Sequence, residues 1–209
     1  MILINGDSWT GGPTYENLED TWPHQMSKKY NLPVTNLAWG GASNQRIFRT
    51  TIEYLYTCEE SPSHLIIGWA SKERFELPST EGFYMRINPI DGCDRFIENN
   101  KKVPGIDSIK DNFYRYNLNN ELIHKSFVNN ILILQDLCKI KNIKFLNFNS
   151  AWKDFKIFEN KNIDKQSWIF NPETTMRYCL EQLNFKTIPS FHTCVEGQKH
   201  WADVVYKFL

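Results

Sequence analysis

The sequence has no surplus of charge of either sign: 24 Lys and Arg balance 24 Asp and Glu, so the net charge is zero. A polyanion binder carries a basic footprint, so nucleic acid and acidic membrane surfaces are not expected partners. No apolar run approaches the roughly 18 residues of a membrane span. No basic stretch followed by an apolar one marks an export signal at the start, which leads to the expectation of a cytoplasmic protein. The five cysteines, at 58, 93, 138, 179 and 194, are scattered and form no CxxC pair. A disulfide framework or zinc site needs closer pairing, so buried free thiols are expected. Neither the glycine signature of a P-loop or dinucleotide site nor an Asp/His cluster at metal-ligand spacing occurs, so no cofactor or metal is implied.

What is present is a chain of 209 residues, enough for one α/β domain and little more. MILING opens it as a short apolar run ended by Gly6, the pattern of a buried parallel strand. A four-residue rhythm through Leu18, Trp22, Met26 and Tyr30 predicts a helix within 16–30, with Pro23 marking the first turn of a shorter one. VTNLAW reads as a second strand ending at Gly40-Gly41. Ser43 can cap the next helix, whose inward face is Ile47, Thr51, Tyr54 and Leu55. HLIIGWA over 64–70 and IKFLNFN over 143–149 read as further strands. A helix is expected over 119–141, with Leu122, Phe127, Ile131, Leu134 and Leu137 on its apolar side. Another is expected near 173–183, and a last one over 194–208 carries Trp201, Val204, Val205 and Phe208. The stretch 78–118 has weak periodicity and scattered Pro, Gly and charge, and reads as an insertion of the kind that forms binding lids. Alternating strands and helices predict a parallel sheet covered on both faces, with the site at the carboxyl ends of its strands.

Three groups of residues fall at those ends. Gly6-Asp7-Ser8 follows the first strand, where a serine can project from a tight turn toward a helix N-terminus. An ordinary strand-to-helix turn would carry the same residue types. Asn36-Leu-Ala-Trp-Gly-Gly-Ala-Ser-Asn44 follows the second strand. Gly41 there would let a backbone N–H approach a substrate oxygen, and Asn44 could add a side-chain donor. Ser190-Phe191-His192 precedes the last helix, from which an imidazole can reach a serine and act as general base.

The order and spacing of these groups resemble the SGNH, or GDSL, hydrolase family. GDSWT at 6–10 is similar to its first block, NLAWGG at 36–41 to its second, and FHTCVEGQKHWA at 191–202 to its last. The resemblance implies a three-layer α/β/α domain over residues 1–209, with a flavodoxin-like parallel sheet of about five strands. It implies Ser8 as nucleophile, His192 as base, and the N–H groups of Ser8 and Gly41 as oxyanion donors. GGASNQRI and GWASKERFE further resemble a subgroup from phage and environmental genomes, in which Arg74 and Glu76 fill an Arg-x-Glu motif. A phage-encoded chain would work in the host cytoplasm. Asp7, Arg74 and Glu76 are candidate supporting residues.

Two positions depart from that pattern. The third block of the family reads Gly-x-Asn-Asp, but here Gly68, Trp69, Ala70 and Ser71 align with it, and the Asn donor is missing. Asn44 is the candidate replacement. The family's Asp before the histidine is replaced by Pro189 and Ser190, which leaves Glu76 and Glu196 as carboxylates to test. The expected function is a carboxylester hydrolase, an esterase or carbohydrate O-deacetylase, acting on a small-molecule or glycan ester. The competing expectation is a weak or inactive glycan-binding module using Trp69, Phe83, Tyr84, Tyr114 and Tyr116 as stacking surfaces. Acyl transfer to a sugar would use the same machinery.

Overall fold

The computed structural model describes residues 1–11, 18–78, 84–87, 95–96 (backbone only), 110, 120–153, 156–186 and 192–209. Alternation along the strands decides the layering. In β1 (Ile2–Gly6), Leu3 faces one apolar cluster, while Ile2 and Ile4 face another. The same switch recurs in β3 (His64–Trp69), with Leu65 and Ile67 on one side and Ile66 on the other. Side chains alternate across a strand, so a strand buried on both faces needs helices on both. Helices α2 (Asn44–Thr57) and α3 (Asn120–Ile140) cover the first face. Helices α1 (Trp22–Tyr30), α4 (Met176–Gln182) and α5 (Val195–Tyr206) cover the second.

With β2 (Val34–Asn36) and β7 (Lys144–Asn149), the sheet has the order β2-β1-β3-β7, all parallel. Among the described residues it has four strands, against the expectation of about five. Where a fifth would lie, the chain touches β7 through only two isolated bridges, Asn147–Trp168 and Asn149–Thr175. From β1 the chain passes first to one side and then to the other. The crevice at the carboxyl ends of β1 and β3 is therefore the topological switch point of the sheet.

Local chemistry explains most element ends. Ser43 Oγ accepts from the Arg46 N–H and caps α2. Pro23 sits in the first turn of α1, and Asn31, at φ 51°, closes that helix. β2 is shorter than VTNLAW predicts: Asn36 Oδ1 accepts from the Ala38 N–H and bends the chain locally, although the Leu37 and Trp39 N–H groups still donate to Ile4 and Gly6 of β1. In α3 the buried stripe is Phe127, Val128, Ile131, Leu134, Gln135 and Cys138, whereas Leu122 is exposed and Leu137 half-buried. The stripe turns with the 3.6-residue period, which carries Leu122 past the edge of the covered face.

The insertion begins slightly earlier than expected. It holds a second sheet, antiparallel, of β4 (Phe75–Pro78), β5 (Tyr84–Ile87) and β6 (Arg95–Phe96). Most of 78–118, with Phe83, Tyr114 and Tyr116, lies outside the described residues. Trp69 is no stacking surface. It is fully buried, meets Phe127 edge-on at 5.3 Å and donates from Nε1 to Asn147 Oδ1. Cys58, Cys138, Cys179 and Cys194 are free thiols, but only Cys138 is buried; the other three are half-buried, and Cys93 lies outside the described residues. Burial pushes the Cys138 thiol up to about 12, which keeps it protonated and inert. Among the described residues, no helix is long and apolar enough to cross a membrane.

Candidate active site

β1 ends at Gly6, and the chain turns at once into a single 3₁₀ turn, Ser8–Thr10. Asp7 caps that turn by accepting the Trp9 N–H on Oδ1, and Gly11, at φ 107°, ends it. The turn directly behind Ser8 is this 3₁₀ turn, and the helix expected within 16–30 is α1, which starts at Trp22 with Pro23 in its first turn. The turn is tight because Thr10 folds back over Gly6 and its register partner Gly68. A Cβ on Gly6 would stand 2.2 Å from Thr10 Oγ1, and one on Gly68 would stand 2.1 Å from it. Ser8 is consequently held against the carboxyl edge of β1 and is itself buried.

The loop after β2 runs alongside this turn. Leu37 N donates to Ile4 O, Trp39 N to Gly6 O, and Asn36 Nδ2 to Gly11 O. Gly40 and Gly41 follow, with Gly41 at φ 76°, a conformation that favours glycine. Among the described residues, neither the Ser8 N–H nor the Gly41 N–H donates a backbone hydrogen bond.

From the far end of the chain, Cys194 N donates to Lys186 O and α5 begins at Val195. Thr193 packs on Gly197, where a Cβ would stand 2.1 Å from Thr193 Oγ1. Gln198 Oε1 accepts the Trp22 N–H and locks α5 to the start of α1. These contacts deliver His192 to the switch point. Its Nε2 lies 2.6 Å from Ser8 Oγ, within hydrogen-bond distance, and its ring packs on Trp9 with centroids 5.3 Å apart. Residues 184 positions apart in sequence thus form one buried pair.

The supporting candidates divide. Asp7 is fully buried, and its Oδ2 accepts from Arg74 Nη1 at 3.0 Å, so Arg74 balances the charge directly behind Ser8. Glu76 Oε2 is bound by Arg49 Nη2 of α2 at 2.9 Å. Glu196 is exposed and turned back on its own helix. Its own N–H and the Cys194 side chain hold its carboxyl below the usual range. Asn44 forms a two-way clasp, with Nδ2 donating to Ala70 O and Oδ1 accepting the Ala70 N–H. It therefore joins the start of α2 to the end of β3. Pro189 and Ser190 lie outside the described residues, and among the described residues no three His, Cys, Asp or Glu side chains gather as a metal site.

No family model matches the chain, and no curated protein matches it. Solved structures do. The psychrotrophic esterase EstA of a Pseudoalteromonas species aligns over 99% of this chain and 94% of its own, with a TM-score of 0.55 and 14% identity. A putative lipolytic protein of the G-D-S-L family from Desulfitobacterium hafniense aligns over 100% and 98%, with a TM-score of 0.54 and 15% identity. This chain has the G-D-S-L esterase fold. A carbohydrate esterase family 2 enzyme from Corynascus thermopiles, which carries an additional carbohydrate-binding domain, matches over 99% of this chain and 64% of its own, with a TM-score of 0.54 and 12% identity. In this G-D-S-L fold, the switch-point crevice is where the Ser8–His192 pair sits.

Besides Thr10, one charged residue at the site escaped sequence reasoning. Arg86 of β5 donates from Nη1 to the Gly40 carbonyl and lies against Gly41. It falls in the stretch of weak periodicity, where nothing in the sequence singled it out.

Proposed function

We propose that the protein is a serine hydrolase of the SGNH type that cleaves carboxylic esters of small molecules or glycans, as an esterase or a carbohydrate O-deacetylase. One observation carries this reading: Ser8 Oγ stands 2.6 Å from His192 Nε2 at the carboxyl end of β1. A hydroxyl is a weak nucleophile until a base takes its proton, and a buried imidazole at this distance is such a base.

His192 accepts the Ser8 proton as Oγ bonds to the acyl carbon. The carbonyl π pair moves to oxygen, where the N–H groups of Ser8 and Gly41 receive it, with Asn44 as the proposed third donor. As the tetrahedral centre collapses, the C–O bond breaks and His192 gives its proton to the departing alkoxide. Water then attacks the acyl-serine and gives a proton to His192; as the second tetrahedral centre collapses, the acyl C–Oγ bond breaks and His192 returns that proton to Ser8 Oγ, releasing the acid. The Asp7–Arg74 pair braces the turn that carries Ser8. No cofactor enters this sequence.

The fold shared with esterases and a carbohydrate esterase is consistent with this chemistry. EstA is known in a form inhibited by monoethylphosphonate, and a fluorophosphonate is the natural probe here. Wild type is expected to be labelled and to hydrolyse p-nitrophenyl acetate, whereas Ser8→Ala and His192→Ala lose both. A wild-type protein that neither reacts with the probe nor turns over the ester would refute the reading.

A further inference from the structure

The carbonyl of Gly40 and the N–H of Gly41 are opposite ends of one peptide group. That group is planar, so whatever fixes the direction of the carbonyl fixes the direction of the N–H. Arg86 binds this carbonyl through Nη1. Its guanidinium also occupies the space beside Gly41. A Cβ at that position would stand 2.5 Å from Nη1 and 2.9 Å from Cζ of Arg86. Gly41 is thus required twice, by its φ of 76° and by the close approach of Arg86.

Arg86 is itself held in place. It lies opposite Glu76 in the β4–β5 register. Glu76 is tied to α2 at both ends, by its carboxylate on Arg49 at 2.9 Å and by its N–H donating to Gln45 Oε1 at 2.9 Å. Tyr84, two residues before Arg86, packs its ring under the Arg49 guanidinium at 4.1 Å. The second sheet is thereby docked on the first turns of α2, directly after the Gly40–Gly41 loop, and Arg86 bridges the remaining gap.

We propose that Arg86 is a positioning residue of the oxyanion hole, orienting and polarising the Gly40–Gly41 peptide so that its N–H is a preorganised, strengthened donor. This rests on the reading of Gly41 as an oxyanion donor. A charge-assisted bond to a carbonyl draws electron density from the whole amide and makes the N–H at its other end a better donor. The cation also lowers the energy of negative charge developing nearby in a partly buried site. No proton leaves Arg86, and no bond to substrate is required of it. Its effect belongs to the transition state, where the oxyanion exists, and so to kcat. It stands in a chain that lacks the third-block Asn donor, where the remaining donors must carry more.

The test is steady-state hydrolysis of p-nitrophenyl acetate with the rate of fluorophosphonate labelling, on wild type, Arg86→Gln and Arg86→Lys. Arg86→Gln is expected to lose roughly tenfold or more in kcat with KM held within about twofold, the ceiling being the 10²–10³ of a whole lost donor. Arg86→Lys, which restores a cation, is expected to recover part of that loss. In ¹⁵N-labelled protein, the Gly41 amide proton should move upfield in Arg86→Gln as its polarisation falls. Should Arg86→Gln not fold, Arg86→Met replaces it, keeping an unbranched stem against Gly41 and removing only the donor. Wild-type kcat and labelling rate in the folded variant, or a loss confined to KM, would overturn the proposal. A wild type that is itself unreactive would instead overturn the serine-hydrolase reading, so the two failures are separable.

Discussion

Asp7 stands one residue before Ser8 with both carboxylate oxygens committed, one to the Trp9 N–H and one to Arg74. The Asp7 side chain is 0% exposed and that of Arg74 10%, so this is a buried ion pair. Such a pair gives little net stability when whole but is costly to halve. Asp7→Asn keeps an oxygen for the Trp9 cap and removes only the charge. It is expected to cost about 3–5 kcal/mol, the range for leaving a buried partner unpaired. Adding Arg74→Met should return much of that loss, and urea titrations of the two single variants and the double variant check it. Additive losses would mean that the two side chains do not depend on each other. Sequence placed Asp7 and Arg74 among the supporting residues, but it could not pair them. Residues 67 positions apart meet only because β1 and β3 are neighbours in parallel register. Thr10 escaped notice for a related reason: its role is steric, filling the space over Gly6 and Gly68, and no motif records that.

At the scale of elements, the most consequential link is the clasp between Asn44 and Ala70. The first residue of α2 holds the backbone just beyond β3 through both halves of its amide. Asn44→Ala strands a buried N–H and a buried carbonyl together, each costing about 1–3 kcal/mol if left unsatisfied. A fall in stability of that order is expected from thermal or urea unfolding. If the amide also donates to the oxyanion, kcat should fall on the order of 10²-fold in the same variant, assayed well below its unfolding temperature. Unchanged turnover would sink the oxyanion role and leave the clasp alone. The helices and parallel strands were legible because hydrophobic periodicity reports them directly, as Ser43 ahead of α2 and Pro23 in α1 illustrate. The second sheet was not legible. Its strands are two to four residues long, too short to establish a period; it is tied to α2 by polar side chains, and the buried apolar residues among its described positions are one register pair, Phe75 and Ile87. The same reasoning covers the region beyond β7, where the described residues form two single bridges.

Across the whole molecule, the groups whose pKa values are shifted are expected to limit stability on both sides of neutrality. On α5, burial pushes the Asp203 carboxyl up. Hydrogen bonds from Lys29 and Tyr30 of α1, with the Lys29 charge, more than offset this, and its pKa lies below the usual value. A depressed carboxylate contributes stability that is complete above its unfolded pKa, about 3.9, and is lost as pH falls through the lower folded value. The hydrogen bond to Asp203 raises both Lys29 and Tyr30, so their contribution is complete below their ordinary values and is lost as pH rises through the raised ones. Lys29 and Asp203 are 56% and 37% exposed, and salt will shrink this contribution. At the opposite end of the sheet from Ser8, burial and then the Lys144 charge lower the pKa of His64. The unfolded chain therefore binds the His64 proton first, and stability begins to fall as pH drops through about 6.5. Urea midpoints measured against pH should thus show a plateau near neutrality, an early acid decline from His64, a later one from Asp203 and an alkaline decline. His64→Gln is expected to remove the first decline and leave the second, while Asp203→Asn removes the second and weakens the alkaline one. Both groups lie away from the Ser8–His192 pair, so neither substitution should change kcat where the protein is fully folded. A midpoint that stays level down to pH 5 in wild type would show that His64 is not the group that sets the early acid limit.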